Sequence, residues 1–320
     1  MTLIITYGLM FFAILILGTI SGIFSERVGI VNIAINGFLI FGAISYLYIS
    51  EFLWKAITGG NSELKISAWY QIIATLFSAI LTSLFAVLFG FATIKLKSEQ
   101  TISGFAMNIL AVGIAALLII VLTKLQGQGS QIASRYKTEL ALSGAPADWR
   151  NIISFKLFIA IIVSVSAWFA LRKTKWGLRF RSIGENPQAA DVAGINVNKT
   201  KWQGIIIAGF VAGIGGSIFA EMNSAEFSVT HDVQGLGYIA LAIMITSRWK
   251  VSLSILVSLF FSLLLSTSFF GVSLFGAGFS KYKELFYTLP YIITLVIMVF
   301  GSKGSVGPAA AGVPYDKSKR

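Results

Sequence analysis

The chain has 320 residues, of which 56% are hydrophobic and only 12% charged, with a formal net charge of +12. Soluble domains carry roughly 25% charged residues, so this composition excludes an ordinary soluble fold and leaves a polytopic membrane protein. No cysteine is present, which removes disulfide frameworks, thiolate metal sites and cysteine nucleophiles.

In chain order, apolar windows near the ~20 residues that span a hydrocarbon core fall at 3–23, 29–49, 70–94, 101–123, 152–171, 203–222, 233–247, 251–271 and 285–301. The first is too long for the core of a signal peptide and lacks a basic start, so it reads as a retained span. The seventh, "VQGLGYIALAIMITS", holds fifteen uncharged residues and is short for a crossing. A dip back to the same side would invert everything after it and export a basic tail, so a short or broken crossing fits better. The expected fold is all-α: a polytopic integral membrane protein with about nine transmembrane helices, eight to ten at the limits. Residues 1–301 form one membrane domain. Residues 302–320, rich in Gly, Pro, Ala and Lys, read as a flexible basic tail.

Charge sets the orientation, because Lys and Arg collect in cytoplasmic loops. With the loop 172–202 inside, sixteen of the 25 basic residues and only five of the 13 acidic ones lie on the inner side. The amino terminus is then outside and the carboxyl terminus inside. The same reading accounts for the positive excess without nucleic acid as a partner.

Within that loop, "ENPQAADVAG" is a delimited helix. Asn186 is a favoured N-cap and Pro187 suits the first helical position. Gly194 is placed to end the helix in a left-handed turn. Such a helix, about 10 Å long over 187–193, is marginal alone in water. Something must hold it, either a cleft in another protein, to which Ala189, Ala190 and Ala193 would allow close approach, or its own spans.

The spans carry neutral polarity. Asn32 and Asn36 share a helix face, Asn108 sits in the fourth window, and Tyr238 lies among glycines in "GLGYIA". Buried amides need partners, so these residues either tie helices together or face a wet passage for a neutral polar solute. "GIVNIAI" (29–35) and "GLGYIAL" (235–241) share Gly, Ile and Ala at matched places. Repeated halves of transporters often place discontinuous helices at the pathway.

Four stretches in order carry a resemblance: "GIFSERVGIVNIAINGFLIFGAISY" (22–46), "SEQTISGFAMNILAVGI" (98–114), "GLRFRSIGENPQAADVAGINVNKTKW" (177–202) and "GLGYIALAIMITSRWKVS" (235–252). Together they resemble ABC importer permeases of the ribose and branched-chain amino acid superfamily, closest to the nucleoside or simple-sugar subgroup. The resemblance implies a non-catalytic cell-membrane permease subunit that moves nucleosides or similar solutes by alternating access. Permeases for ribose-like sugars, autoinducers or branched-chain amino acids are the neighbouring alternatives. It implies a coupling role for Glu185, Asn186, Pro187, Ala189, Ala190 and Gly194, in a loop that docks into a cytoplasmic ATPase. Further implied partners are a second permease subunit (a paralogue or a second copy), an extracellular solute-binding lipoprotein and membrane lipid. The sequence departs from the family at "NIAING", where Asn36 stands at a position often held by glutamate.

The chain contains no Gly-x-x-x-x-Gly-Lys-Ser/Thr phosphate loop, so ATP and Mg are expected on partner subunits and no cofactor on this chain. The single histidine, His231, reads as a surface residue. No His-Glu-x-x-His pattern or carboxylate cluster in a span stands out, and Glu221 is the only acidic residue inside a window. These patterns weigh against an intramembrane enzyme or a proton-coupled stand-alone carrier.

Overall fold

The computed structural model describes residues 2–61, 67–126, 131–132, 154–222, 227–228, 233–270, 283–301 and 307–317. His231 lies outside them. The helices in chain order are α1 Thr2–Glu26, α2 Ile35–Thr58, α3 Tyr70–Gly90, α4 Gln100–Gln126, α5 Phe155–Lys173, α6 Lys175–Glu185, α7 Pro187–Val192, α8 Val197–Ala220, α9 Leu236–Thr246, α10 Val251–Phe270 and α11 Lys283–Gly301. A π-helical turn at Phe91–Lys95 extends α3. Two residues on each side, Gln131–Ile132 and Phe227–Ser228, form a short antiparallel pair.

Seven of these helices, α1 to α5, α8 and α10, are long and apolar enough to cross a membrane. α9 and the segment Thr288–Ile297 of α11 are shorter apolar pieces. At ~1.5 Å per residue the eleven residues of α9 reach roughly 16 Å, about half of a hydrocarbon core.

α1 is the axis of the bundle. Ala13 to Leu17 are fully buried, which suits a helix that is hydrophobic on every side. α8 packs beside it and uses its glycines to approach two neighbours. A methyl group on Gly213 would come within 2.7 Å of the Ala79 Cα on α3, and Gly216 lies directly against Leu39 on α2. Small residues let helix backbones close where no water drives association. The outward faces of α4, α5 and α10 expose Ile109, Leu117, Phe158 and Leu256, side chains suited to lipid.

The window 29–49 is displaced from the helix that forms. α1 ends at Glu26 and residues 27–34 are largely irregular, with Gly29 in the left-handed region at φ +79°. α2 therefore starts at Ile35 and continues to Thr58. α8 begins six residues before its window because Asn196 caps it, accepting the Lys199 N–H at 2.9 Å. Residues 307–317 differ from the free tail expected for 302–320. They fold back on the same end of the bundle as α6 and α7: the Ala310 N–H donates to Gly184 O at 2.8 Å, and Asp316 pairs with Lys97 at 3.3 Å. The small Ala310 fits here because it also lies against Gly29.

Candidate functional site

The loop 172–202 folds into more than the one helix that its sequence announces. Thr174 accepts the Gly177 N–H at 2.9 Å and starts α6. Its buried positions Gly177, Phe180, Ile183 and Gly184 recur at helical spacing, and Phe180 meets Phe24 of α1 edge to face. This amphipathic helix was concealed in sequence by the surrounding charge.

α7 follows as expected, one residue shorter than 187–193. Asn186 Oδ1 accepts the Ala189 N–H at 2.9 Å, Pro187 occupies the first turn, and Gly194 adopts φ +81°. Its two faces do different things. Pro187 and Ala190 turn inward, and Ala190 packs with Ile183 and Val197 beneath Ile195 and Tyr315. Gln188, Ala189 and Val192 face outward, with Val192 77% exposed. Ala190 is thus held by its own chain, whereas Ala189 is open to a partner. Glu185 is exposed and pairs with Arg27 at 3.7 Å.

The second cluster lies where α2, α4 and α9 meet. α2 has just begun at Ile35, so the N–H of Gly37 has no partner within its helix. Asn108 Oδ1 accepts it at 2.7 Å, while Asn108 Nδ2 donates to Ile33 O at 3.1 Å. In turn Asn36 Oδ1 accepts the Gly237 N–H of the first turn of α9 at 3.1 Å. Only glycine fits at 237, because a Cβ there would collide with the Asn36 backbone. Asn108 Nδ2 also donates to the Tyr238 hydroxyl at 3.2 Å, and Tyr238 remains 44% exposed.

The structure therefore brings Asn36, Asn108 and Tyr238 into one uncharged network. Asn32 stays apart. It is fully buried, and its side-chain amide has no hydrogen-bond partner among the described residues. The echo between 29–35 and 235–241 has a spatial counterpart, since the helix starts that follow the two glycines touch. Glu221 is consumed structurally: it pairs with Lys156 at 3.7 Å and accepts from Thr75 at 3.4 Å.

Sequence reasoning missed the junction that joins the two clusters. Arg27, in the turn after α1, donates to Trp249 O from Nε at 3.3 Å and Nη2 at 3.0 Å. Trp249 Nε1 donates to Glu26 Oε2 at 2.6 Å. Because Arg27 also pairs with Glu185, an unbroken set of contacts runs from α7 through α6 to the ends of α1 and α9. The available signal was the pair of similar turns "SERVG" and "SRWK" at 25–29 and 247–250, each of which ends an apolar helix. Among the described residues no group of His, Cys, Asp and Glu could hold a metal.

The family profile described as "Branched-chain amino acid transport system / permease component" matches residues 4–298. The chain is 35% identical over 312 residues to the nucleoside ABC transporter permease protein NupC of Lactococcus lactis, covering 95% of this chain and 94% of that protein. It is 34% identical over 331 residues to the guanosine ABC transporter permease protein NupQ of Bacillus subtilis, covering 100% and 98%. No solved structure matches it.

Proposed function

Because the chain belongs to the branched-chain amino acid transport system permease family, a group of non-catalytic, multi-pass subunits of ABC transporters in the cell membrane, we propose that its cargo is a nucleoside or a closely related small polar solute. The two relatives named for nucleoside and guanosine transport support this cargo at near full-length coverage. We further propose about nine crossings, with the amino terminus outside and the carboxyl terminus inside. Residues 1–301 form the membrane domain, and α9 is a broken crossing beside the path. ATP and Mg are bound by separate ATPase subunits. A second permease, a paralogue or another copy of this chain, completes the pore, and a solute-binding lipoprotein delivers cargo from outside.

In this reading the outward face of α7 seats in the ATPase, with Asn186, Pro187 and Gly194 fixing its shape and Ala189 its surface. Ala190 and Glu185 anchor it to the chain, through Ile183 and Arg27 respectively. Displacement of α7 would pull on α6, then on Arg27 and Trp249, and so on the ends of α1 and α9. The other end of α9 is the one capped by Asn36. Asn36, Asn108 and Tyr238 border the path and offer hydrogen bonds without a fixed charge, in keeping with a neutral polar cargo; Asn32, buried with its amide unpartnered among the described residues, would join them when the junction opens. Alternating access then amounts to opening and closing the junction between α2, α4 and α9 under force from α7.

The observation that carries the reading is the continuous contact route from α7 to Trp249. The test is Ala189→Trp in proteoliposomes holding the ATPase and binding protein. Nucleoside uptake should fall at least about tenfold while ATP hydrolysis and membrane insertion persist, since only an interaction with the partner is blocked. Unchanged uptake would remove the docking role. Uptake of a sugar or branched-chain amino acid in place of nucleosides would overturn the cargo, and transport without any ATPase would overturn the whole scheme.

A further inference from the structure

We propose that a basic pocket at the loop-bearing end of the bundle binds a phosphate group, supplied by the headgroup of an anionic membrane lipid. The pocket encloses about 400 Å³, and its walls include Arg27, Arg172, Arg181, Lys250, Trp168 and Trp249.

Its position follows from the spans. Trp168 and Arg172 lie in the last turns of α5, and Lys250 immediately precedes α10. The pocket therefore sits where two membrane-crossing helices end, at the boundary between hydrocarbon and water. Tryptophan is favoured at that depth, because its ring is apolar and its N–H needs a partner. Basic pockets between spans at this level suit lipid headgroups.

Apart from the Arg27–Glu185 pair, its charge has no counterweight among the described residues. Among the described residues no acidic side chain lines the pocket. Arg27 is already engaged by Trp249 O and Glu185, and Glu26 by the Trp249 ring N–H. Among the described residues no carboxylate pairs with Arg172, Arg181 or Lys250. Burial depresses the Arg27 guanidinium; Glu185 opposes that shift and the nearby Arg181 charge adds to it. A phosphate would relieve this crowding, accepting paired N–H bonds from a guanidinium and a point charge from the ammonium.

The surroundings favour a lipid over a free ion. On α5, Val165 and Phe169 share the face of Arg172 and are exposed. On α10, Leu256 and Phe260 continue an exposed apolar stripe away from Lys250. Acyl chains would lie along these two stripes with the phosphate between them. The occupant would also touch Arg27, which joins α6 to the end of α9.

The full chain, purified in neutral detergent, is titrated with phosphatidylglycerol, phosphatidylcholine or inorganic phosphate. Bound lipid is counted by native mass spectrometry and unfolding followed by heating. Phosphatidylglycerol should bind roughly tenfold tighter than phosphatidylcholine and raise the unfolding midpoint. The double variant Arg172→Gln/Lys250→Gln should lose that preference. Lys175→Gln/Lys199→Gln, at exposed positions outside the pocket, should keep it. Equal unfolding midpoints of all forms without lipid establish that the variants fold. No preference in the parent chain, or the same loss in both double variants, overturns the site. Inorganic phosphate giving the same stabilisation without lipid overturns the lipid as its source.

Discussion

Helix ends inside the bundle and helix ends at its basic rim solve one physical problem in two ways. The first N–H groups of every helix lack partners within the helix. At the rim the partner is local: Thr174, Asn186 and Asn196 each accept the N–H three residues on, and Glu99 accepts those of Thr101 and Ile102. Inside, it comes from another helix, Asn108 to Gly37 across 71 residues and Asn36 to Gly237 across 201. Both of these interior caps are amides, uncharged at donor and acceptor, which fits a medium where an ionised group is costly. Rim caps hold one helix each, but interior caps hold two helices together, so a change there reaches further.

The largest effect is expected from Asn108→Leu. It strands the Gly37 N–H and Ile33 C=O and removes the bond to Tyr238, at a cost of roughly 2–4 kcal/mol. Denaturant unfolding in micelles should show the loss, with nucleoside uptake abolished in parallel. A variant as stable as the parent would mean that the amide is not the tie between α2 and α4. Asn186→Ala is the matching change at the rim and should cost about 1 kcal/mol, confined to α7. Hydrogen exchange at Ala189 and Ala190 should quicken, while α8, capped by Asn196, provides an unchanged reference. Global unfolding that shifts as far as in Asn108→Leu would erase the distinction between the two kinds of cap.

The same contrast decides what could be read in advance. α7 was legible because its cap, its proline and its closing glycine are all within nine residues. The interior caps were not, since nothing in "NIAING" names Gly237 as the partner. The start of α2 is hidden for that reason: hydropathy sees an apolar run from 29, but Gln100 and Asn108 hold residues 31 and 33 in irregular backbone. In sequence Asn36 and Asn108 are legible as amides that must be either helix ties or path lining. As helix-end caps bordering an exposed tyrosine, their positions are compatible with both. The folded-back 307–317 was missed because its contacts depend on small residues meeting glycines, Ala310 beside Gly29 and Gly184, and not on an apolar period. α6 carried such a period, obscured by Lys175, Arg179 and Arg181.

The smallest effect belongs to Glu99, the charged member of these four rim caps, and bears on why the two interior caps are neutral. The N–H of Ile102 first, and then that of Thr101, hold the Glu99 carboxyl below its ordinary value of 4.5. A depressed folded value means that its contribution is complete above about pH 4.5 and fades as acid protonates it through the lower folded value. Glu99 is exposed to solvent, so water can replace the lost bonds and the change in stability should be slight. Parent and Glu99→Gln should therefore unfold alike when titrated from neutral pH to pH 3, apart from a small acid-dependent difference at the start of α4 seen by hydrogen exchange. A steep acid collapse of the parent that Glu99→Gln abolishes would show that the rim cap also governs tertiary structure, and the division between local and interior caps would fail.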